Sequence, residues 1–385
     1  MKILLIHNSY QQSGGEDNVV ASERTLLSSY GHEVRLLANS NEVVRGILKK
    51  ISTALSAHYS NDARRRVRRL IDEFKPDIVH VHNFFPLFSP SIYDACQDAG
   101  VPVVQTLHNY RLICPGALLL RGGHVCEECI GASAFRATLY GCYRNSRVGT
   151  FWVARMIEFH RNHGTWKSKV NRFIVFTRFA KNKFVAAGLP AEKIIIKPNF
   201  AMDVPPPHTT IVPRRGALFV GRLSGEKGVS TLIRAWHSLH YPLRILGGGP
   251  LVSEITSARL SNVIYEGYRS PDEVHLAMQQ ACFLVVPSES YEGFPMVLVE
   301  SFANGLPVIV SSLGSLAEIV EEGVTGIHFE SGNAEDLATK VRWAFENPEA
   351  MKRMGENARR IYEEKYTADH NYHQLINIYS QIVKP

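Results

Sequence analysis

The sequence predicts an α/β protein built as two doubly wound units in tandem, and three observations carry that prediction. Short apolar runs fall into two series of six, with helical patterns between most of them, the alternation that makes a parallel sheet flanked by helices. A stiff polar segment, Asp203-Val-Pro-Pro-Pro-His-Thr-Thr210, stands between the two series, as domain linkers do. At 385 residues the chain is also too long for one ordinary domain.

The first series is Lys2–Asn8, His32–Ala38, Asp77–Asn83, Pro102–Asn109, Asn171–Thr177 and Lys193–Asn199. The second is Ala217–Leu223, Leu243–Gly247, Val263–Tyr268, Cys282–Pro287, Pro307–Ser312 and Thr325–Phe329. Each is a brief run, apolar and often β-branched, of the length of a strand buried on both faces. Beyond Asn333 the pattern is helical through Ala334–Phe345, Pro348–Lys365 and Thr367–Ile382. The expected domains are residues 1–200 and 201–366, with a terminal helix over 367–385.

An apolar share of 45% with 21% charged residues is that of a soluble globular protein. No run reaches the length of a membrane-spanning helix, and Met1–Asn8 reads as a first strand rather than a signal peptide. The expected location is the cytoplasm, with the inner face of the cell membrane as its refinement. The charge is uneven: residues 1–200 carry 27 Lys+Arg against 15 Asp+Glu, a net +12, and residues 201–385 carry 16 against 21, a net −5. The basic half suits an anionic partner. Zinc-finger, RNA-recognition and helix-turn-helix patterns are missing, so nucleic acid is not expected. A membrane surface or a pyrophosphate-linked lipid fits better. Asn61–Ile71, with arginine at 64, 65, 66, 68 and 69, and Val148–His163, with Phe151, Trp152, Met156, Ile157 and Phe159 among basic residues, are each either a lipid-facing helix or an ordinary solvated or core helix.

The chemistry-bearing residues gather at predicted strand ends. Glu292 sits on the loop after Cys282–Pro287, and Glu300 follows after seven intervening residues, inside a helix with Pro295 at its first position and Gly305 at its stop. Two carboxylates at this spacing alone also fit solvated side chains. Gly221-Arg-Leu-Ser-Gly-Glu-Lys-Gly228 places Arg222 and Lys227 on one glycine-bounded loop, where fixed cations could stabilise a departing diphosphate. Gly14 and Gly15 open a helix after the first strand and permit close backbone approach of an anion, while Glu16 or Asp17 reads equally as a helix cap. His108 ends the Pro102–Asn109 strand, where open α/β sheets bind ligands. His80 and His82 alternate on one strand, a spacing that metals use, and His82 is read as lining the acceptor side. Cys114, Cys126, Cys129 and Cys142 crowd one loop-rich insertion around a C-x2-C knuckle, which in a reducing compartment favours a structural zinc over disulfides. Unrelated buried thiols are the other reading.

The Glu292-x7-Glu300 stretch with Ala303-Asn-Gly-Leu-Pro-Val308, and the Gly221-Arg-Leu loop with Lys227-Gly228, resemble the signatures of retaining GT-B glycosyltransferases of family 4, the group 1 glycosyl transferases. The resemblance covers nearly the whole chain. It implies a GT-B fold, two Rossmann-like domains with the active site in the cleft between them, and a C-terminal helix that packs back on the first. It implies transfer of a hexose from a nucleotide diphosphate sugar, UDP- or GDP-linked, to a hydroxyl of a glycan or polyprenyl-linked acceptor, in surface polysaccharide or glycoconjugate synthesis, with no catalytic metal. On this basis His108 and Glu292 lie at the donor sugar, and Arg222 and Lys227 at the diphosphate. Glu300 lies at the ribose, and Gly14, Gly15, Gly267, Gly293 and Phe294 line the donor site, while Glu16 and His82 face the acceptor. Two departures stand out: Asn109 replaces the usual Asp after the histidine, and Gly248 stands where an acidic residue is usual. A GT-B sugar-nucleotide epimerase and a non-catalytic nucleotide-sugar binder are the alternatives.

Overall fold

The structure is a computed structural model and describes residues 1–9, 14–40, 57–202 and 214–383. The proline-rich linker at 203–210 lies outside the described residues. The chain divides into two compact units, one of Met1–Leu119, Cys126–Pro198 and Asn371–Pro385, the other of Leu120–Val125 and Asn199–His370.

In the first unit, β1 (Lys2–Ser9), β2 (Glu33–Ser40), β3 (Ile78–Asn83) and β4 (Val103–Thr106) precede along the chain a two-stranded hairpin that belongs to the other unit, β5 (Leu120–Arg121) with β6 (His124–Val125). Then come β7 (Arg172–Val175) and β8 (Ile194–Ile196). Its six-stranded sheet runs in the order β2-β1-β3-β4-β7-β8, and every pairing is parallel. The strand order reverses between β1 and β3, so the loops after β1, β3 and β4 share the carboxyl edge where such sheets hold ligands. Ile3, Leu5, Ile78, Val104 and Ile174 form the core under this sheet, and the helix Ala368–Ser380 supplies Leu375, Ile378 and Tyr379 to the same cluster. Each such aliphatic side chain contributes roughly 1.5–3 kcal/mol when fully buried.

The second unit holds β9 (Ala217–Val220), β10 (Leu243–Leu246), β11 (Val263–Gly267), β12 (Phe283–Val286), β13 (Val308–Ser311) and β14 (Gly326–Phe329). They are ordered β11-β10-β9-β12-β13-β14, again all parallel. Here the order reverses between β9 and β12, which places the Arg222 loop and the Glu292 loop side by side at one carboxyl edge. Trp236, Phe283 and Phe329 are fully or almost fully buried in this unit's core. All twelve sheet strands fall within or beside the predicted runs, because β-branched runs bounded by turn residues have few other ways to bury both faces. The β5–β6 hairpin, two residues a strand, is too short to leave a periodic signal.

Two local expectations shift. Pro295 is the N-cap of the helix Met296–Ala303, with extended φ and ψ of −67° and 116°, not its first helical residue. Within the helix Arg147–Asn162, Met156 and Ile157 are fully buried core residues, whereas Phe151 is 40% exposed. Helical periodicity divides the apolar stretch between core and surface.

Candidate active site

In the first unit the helix Gly15–Ser29 buries Val19, Val20, Glu23, Leu26 and Leu27 along one stripe, so a carboxylate at Glu23 points into the core. It meets the histidines of β3, which lie two residues apart and therefore face the same side. Glu23 Oε1 is 3.0 Å from His80 Nδ1 and 3.1 Å from His82 Nε2, and Lys197 Nζ lies 3.7 Å from Oε2. The other ring nitrogen of His82, Nδ1, is 3.0 Å from His108 Nε2. Burial pushes the Glu23 carboxyl up, but His80 and His82 outweigh it and hold the group well below the usual carboxylate range. Burial and the neighbouring His80 drive His82 down to about 4, and burial with His82 drives His108 well below its ordinary value. Both imidazoles are neutral at pH 7. An ionised Glu23 can only accept, so His82 donates from Nε2, its Nδ1 accepts from His108 Nε2–H, and His108 is left with Nδ1 as an acceptor.

Glu23, His80 and His82 bring three potential metal-ligand atoms within 4.8 Å of one another. The hydrogen bonds account for them without a metal. His80 also engages Tyr379 Oη at 2.7 Å and Thr106 Oγ1 at 2.8 Å, and the buried Lys197 ammonium, bonded to Asn371 Oδ1 at 2.9 Å, supplies the cation. His82 is 3% exposed, so its part in the site runs through His108, which is half-buried at the end of β4.

Gly14 caps the helix with φ −134°, a conformation open to any residue, and a Cβ there would meet nothing within 4 Å. Gly15 is the first helical residue, and both are exposed. Asp17 is the capping group: Oδ2 accepts from Gly14 N at 3.0 Å and Oδ1 from His7 Nε2 at 2.8 Å. Glu16 Oε1 lies 3.9 Å from His7 Nδ1. His7 and Glu23 were absent from the sequence expectations; the one signal for Glu23 is its place on an otherwise apolar stripe.

In the second unit, Lys227 Nζ donates to Glu292 Oε1 at 2.6 Å, and Ser288 Oγ donates to the same oxygen at 2.7 Å. The loop is built for that approach. Gly228 has φ 70°, and a Cβ there would lie 1.8 Å from Pro287 O, so only glycine lets the β9 loop touch the end of β12. The same loop is stitched to the turn Gly247-Gly-Gly-Pro-Leu251 through Leu223 N to Gly248 O at 2.9 Å and Leu251 N to Leu223 O at 2.9 Å. A side chain at Gly248 would meet open space. Arg222 is exposed and, among the described residues, has no ion-pair partner.

Glu300 contrasts with Glu292. It lies half-buried in the second turn of Met296–Ala303, no cation among the described residues pairs with it, and burial raises its carboxyl above the ordinary value. Phe294 is buried and meets Tyr366 edge-on at 5.8 Å, while Gly293 is half-buried in the turn before it. Gly267, at the end of β11 with φ 72°, accepts from Gly247 N at 2.8 Å, and the neighbouring Glu266 is held below its usual range by Arg244, 2.5 Å away.

Two family models match the chain in succession, Glycosyltransferase Family 4 over residues 13–201 and Glycosyl transferases group 1 over residues 209–361. An uncharacterized glycosyltransferase of Methanocaldococcus jannaschii is 40% identical over 146 residues, 37% of this chain and 41% of that protein. The O-antigen chain mannosyltransferase C of Escherichia coli is 30% identical over 173 residues, 43% and 47% of the two chains. The chain thus spans under half the length of these two curated relatives. The Anabaena protein HepE, solved in complex with UDP-glucose, superposes with a TM-score of 0.69 at 18% identity, over 99% of this chain and 100% of that one.

Proposed function

We propose, for a chain that belongs to the GT-B glycosyltransferases of the group 1 type, that it moves a hexose with retention of configuration from a nucleotide diphosphate sugar to a hydroxyl of a glycan or polyprenyl-linked acceptor. The observation that carries this reading is the contrast between two carboxylates on one strand-to-helix connection: Glu292 is neutralised by Lys227, and Glu300 is desolvated without a cation. An unpaired, partly buried carboxylate is costly to keep and suits a ligand that brings hydroxyl donors, such as a ribose. Arg222 and Lys227 take the diphosphate, whose charge grows as the sugar C1–O bond breaks. Glu292 and the acceptor Nδ1 of His108 hold sugar hydroxyls. The incoming hydroxyl oxygen bonds to C1 on the face the phosphate leaves, and its proton passes to the departing phosphate oxygen. No protein nucleophile and no metal is needed for these steps.

UDP and GDP sugars are the expected donors; UDP-glucose is the ligand of the similar HepE, and the similar E. coli protein is a mannosyltransferase. The open space at Gly14, beside a helix start, leaves room for a phosphate or for the acceptor, with Glu16 next to it.

The acceptor's lipid would bring the protein to a membrane. No helix among the described residues is long and apolar enough to cross one. Of the arginines at 64–69, Arg64, Arg65 and Arg68 are paired with Asp98, Asp62 and Asp72. A better contact surface lies on the helices Arg136–Tyr140 and Arg147–Asn162. Leu139, Tyr140 and Val148 are 69%, 54% and 71% exposed there, and exposed Arg136, Arg144, Arg147 and Arg155 share these segments. No acidic residue falls between Cys129 and Ile157 in the sequence, and such a face suits an anionic lipid surface.

The test is a panel of UDP- and GDP-sugars offered with a polyprenyl-linked or glycan acceptor, following released nucleotide and the anomeric configuration of the product. Nucleotide release with the donor's configuration kept supports the reading. An isomerised sugar still on its nucleotide would mean an epimerase, and binding without release a non-catalytic receptor.

A further inference from the structure

Residues 107–146 form an insertion with little regular structure: a two-residue-per-strand hairpin and the five-residue helix Arg136–Tyr140. A helix of five residues does not persist without outside support. Four of the seven non-glycine residues with positive φ in the described chain, Ala117, Leu119, Arg144 and Asn145, lie here, each a costly conformation that its surroundings must enforce. Tyr110, Leu112, Ile113, Leu119, Ala134 and Ala137 are buried in it, while Leu139 and Tyr140 are 69% and 54% exposed, so the apolar packing gathers around the cysteines and not around the short helix's outer face.

The cysteines sit at its turning points. The Cys114 carbonyl accepts from Ala117 N at 2.9 Å, Cys126 N donates to Leu119 O at 2.8 Å to close the hairpin stem, and Cys142 follows the positive-φ Gly141 that ends the short helix. Between Cys126 and Cys129, Glu127 O accepts from Ile130 N at 2.9 Å, and its side chain is turned to Lys183, 2.5 Å away. Cys114 and Cys142 converge at Gly116: a Cβ there would lie 3.7 Å from Cys114 Sγ and 3.8 Å from Cys142 Cβ. Cys129 lies three residues after Cys126 across the turn at Glu127, and its carbonyl accepts from Ala132 N at 3.4 Å. No three of the four sulfurs come within 4.8 Å of one another, so an ion would have to draw them together. None of the six cysteines is in a disulfide, and Cys114 and Cys129 are each 8% exposed.

We propose that Cys114, Cys126, Cys129 and Cys142 bind one zinc ion as a closed tetrathiolate site that orders residues 107–146. Four sulfur ligands complete a tetrahedron and leave no open position, so the ion is structural. Binding replaces the protons of the thiols, which the solvent takes up, and ties ligands from separate stretches of the insertion into one cross-link. The clip holds two functional features: the start of the loop that follows His108, and the short helix that exposes Leu139 and Tyr140.

The test is the metal content of the full chain purified without chelator. About one zinc per chain is expected, with Cys126→Ser and Cys142→Ser each below a tenth of that and Cys282→Ser unchanged. Should the serine variants fail to fold, titrating the wild-type protein with an organomercurial gives an independent answer: zinc is released as four thiols react. Cobalt replacement should give intense thiolate-to-metal charge-transfer bands. Hydrogen exchange should rise across residues 107–146 on chelation and stay unchanged in β9–β14. Iron in place of zinc, fewer than six free thiols in denatured unreduced protein, or full-length protein without metal whose exchange matches the purified form would each overturn the proposal.

Discussion

His82 Nδ1 lies 3.0 Å from His108 Nε2, and the same His82 ring reaches the buried Glu23 with its other nitrogen. A carboxylate on a helix thereby sets the tautomer of a histidine on the loop after β4. Glu23 acts as a positioning residue, because it reaches His108 only through His82.

Replacing Glu23 by Gln should lower kcat about tenfold, less than the roughly 100-fold that a 1 Å misplacement of a substrate-holding group can cost. The acidic limb of the pH profile should move to lower pH, since the Glu23 charge favours the protonated form of both His82 and His108. Glu23→Ala should cost about 3–5 kcal/mol by stranding buried partners. A loss of stability with an unmoved pH profile would make Glu23 merely structural.

Acid should destabilise the first unit before either carboxylate of the donor loop is involved. His82 and His160 are both lowered to about 4, and His108 is lowered further, so between about pH 6.5 and pH 4 the unfolded chain binds more protons than the native one. Stability is therefore full above pH 6.5 and falls as pH drops through that window. Urea midpoints at pH 7, 6, 5 and 4 check it, and midpoints flat down to pH 4 would contradict it.

Glu300→Gln should raise the melting temperature at pH 7 by a few degrees, the effect of roughly 1 kcal/mol in a chain of this kind. A raised native carboxyl binds its proton more tightly than the unfolded one, so its penalty grows as pH rises through the carboxylate range and vanishes below it. The same variant should raise the donor KM more than it lowers kcat, because ribose binding is common to ground and transition states. A large fall in kcat with unchanged KM would move Glu300 into the chemical step.

Membrane association should depend on the exposed apolar helix. The wild-type protein should sediment with anionic vesicles and not neutral ones, with binding that fades as salt rises. Leu139→Glu, at a position 69% exposed, should lose binding without loss of folding. Equal binding to neutral vesicles, or Leu139→Glu binding like wild type, would count against this surface.

The strands were legible because a doubly wound sheet needs short apolar runs, and these are local. The Lys227–Glu292 contact was half legible: both residues stood out by spacing, but their pairing depends on Gly228 fitting against Pro287, a tertiary fact. Glu23 and Lys197 were missed because their partners lie far away in sequence; Lys197 and its partner Asn371 are separated by 174 positions. His7 was missed although Asp17 is only ten positions away, because a single histidine ending an apolar strand carries no pattern. The surface at Leu139 and Tyr140 was missed for the opposite reason, since a five-residue helix carries too few turns for its exposed face to be read.

The most direct test is the rate of nucleotide release from the preferred donor, acceptor present, in wild type, Arg222→Ala and Lys227→Ala. Loss of either cation should cut kcat at least about tenfold, with the melting temperature little changed, because Arg222 is exposed and has no ion-pair partner among the described residues, and a partly exposed pair such as Lys227–Glu292 contributes about 1 kcal/mol or less to folding. Lys227→Arg should recover part of the loss. Release at the wild-type rate in both alanine variants would contradict the assignment of this loop to the departing diphosphate.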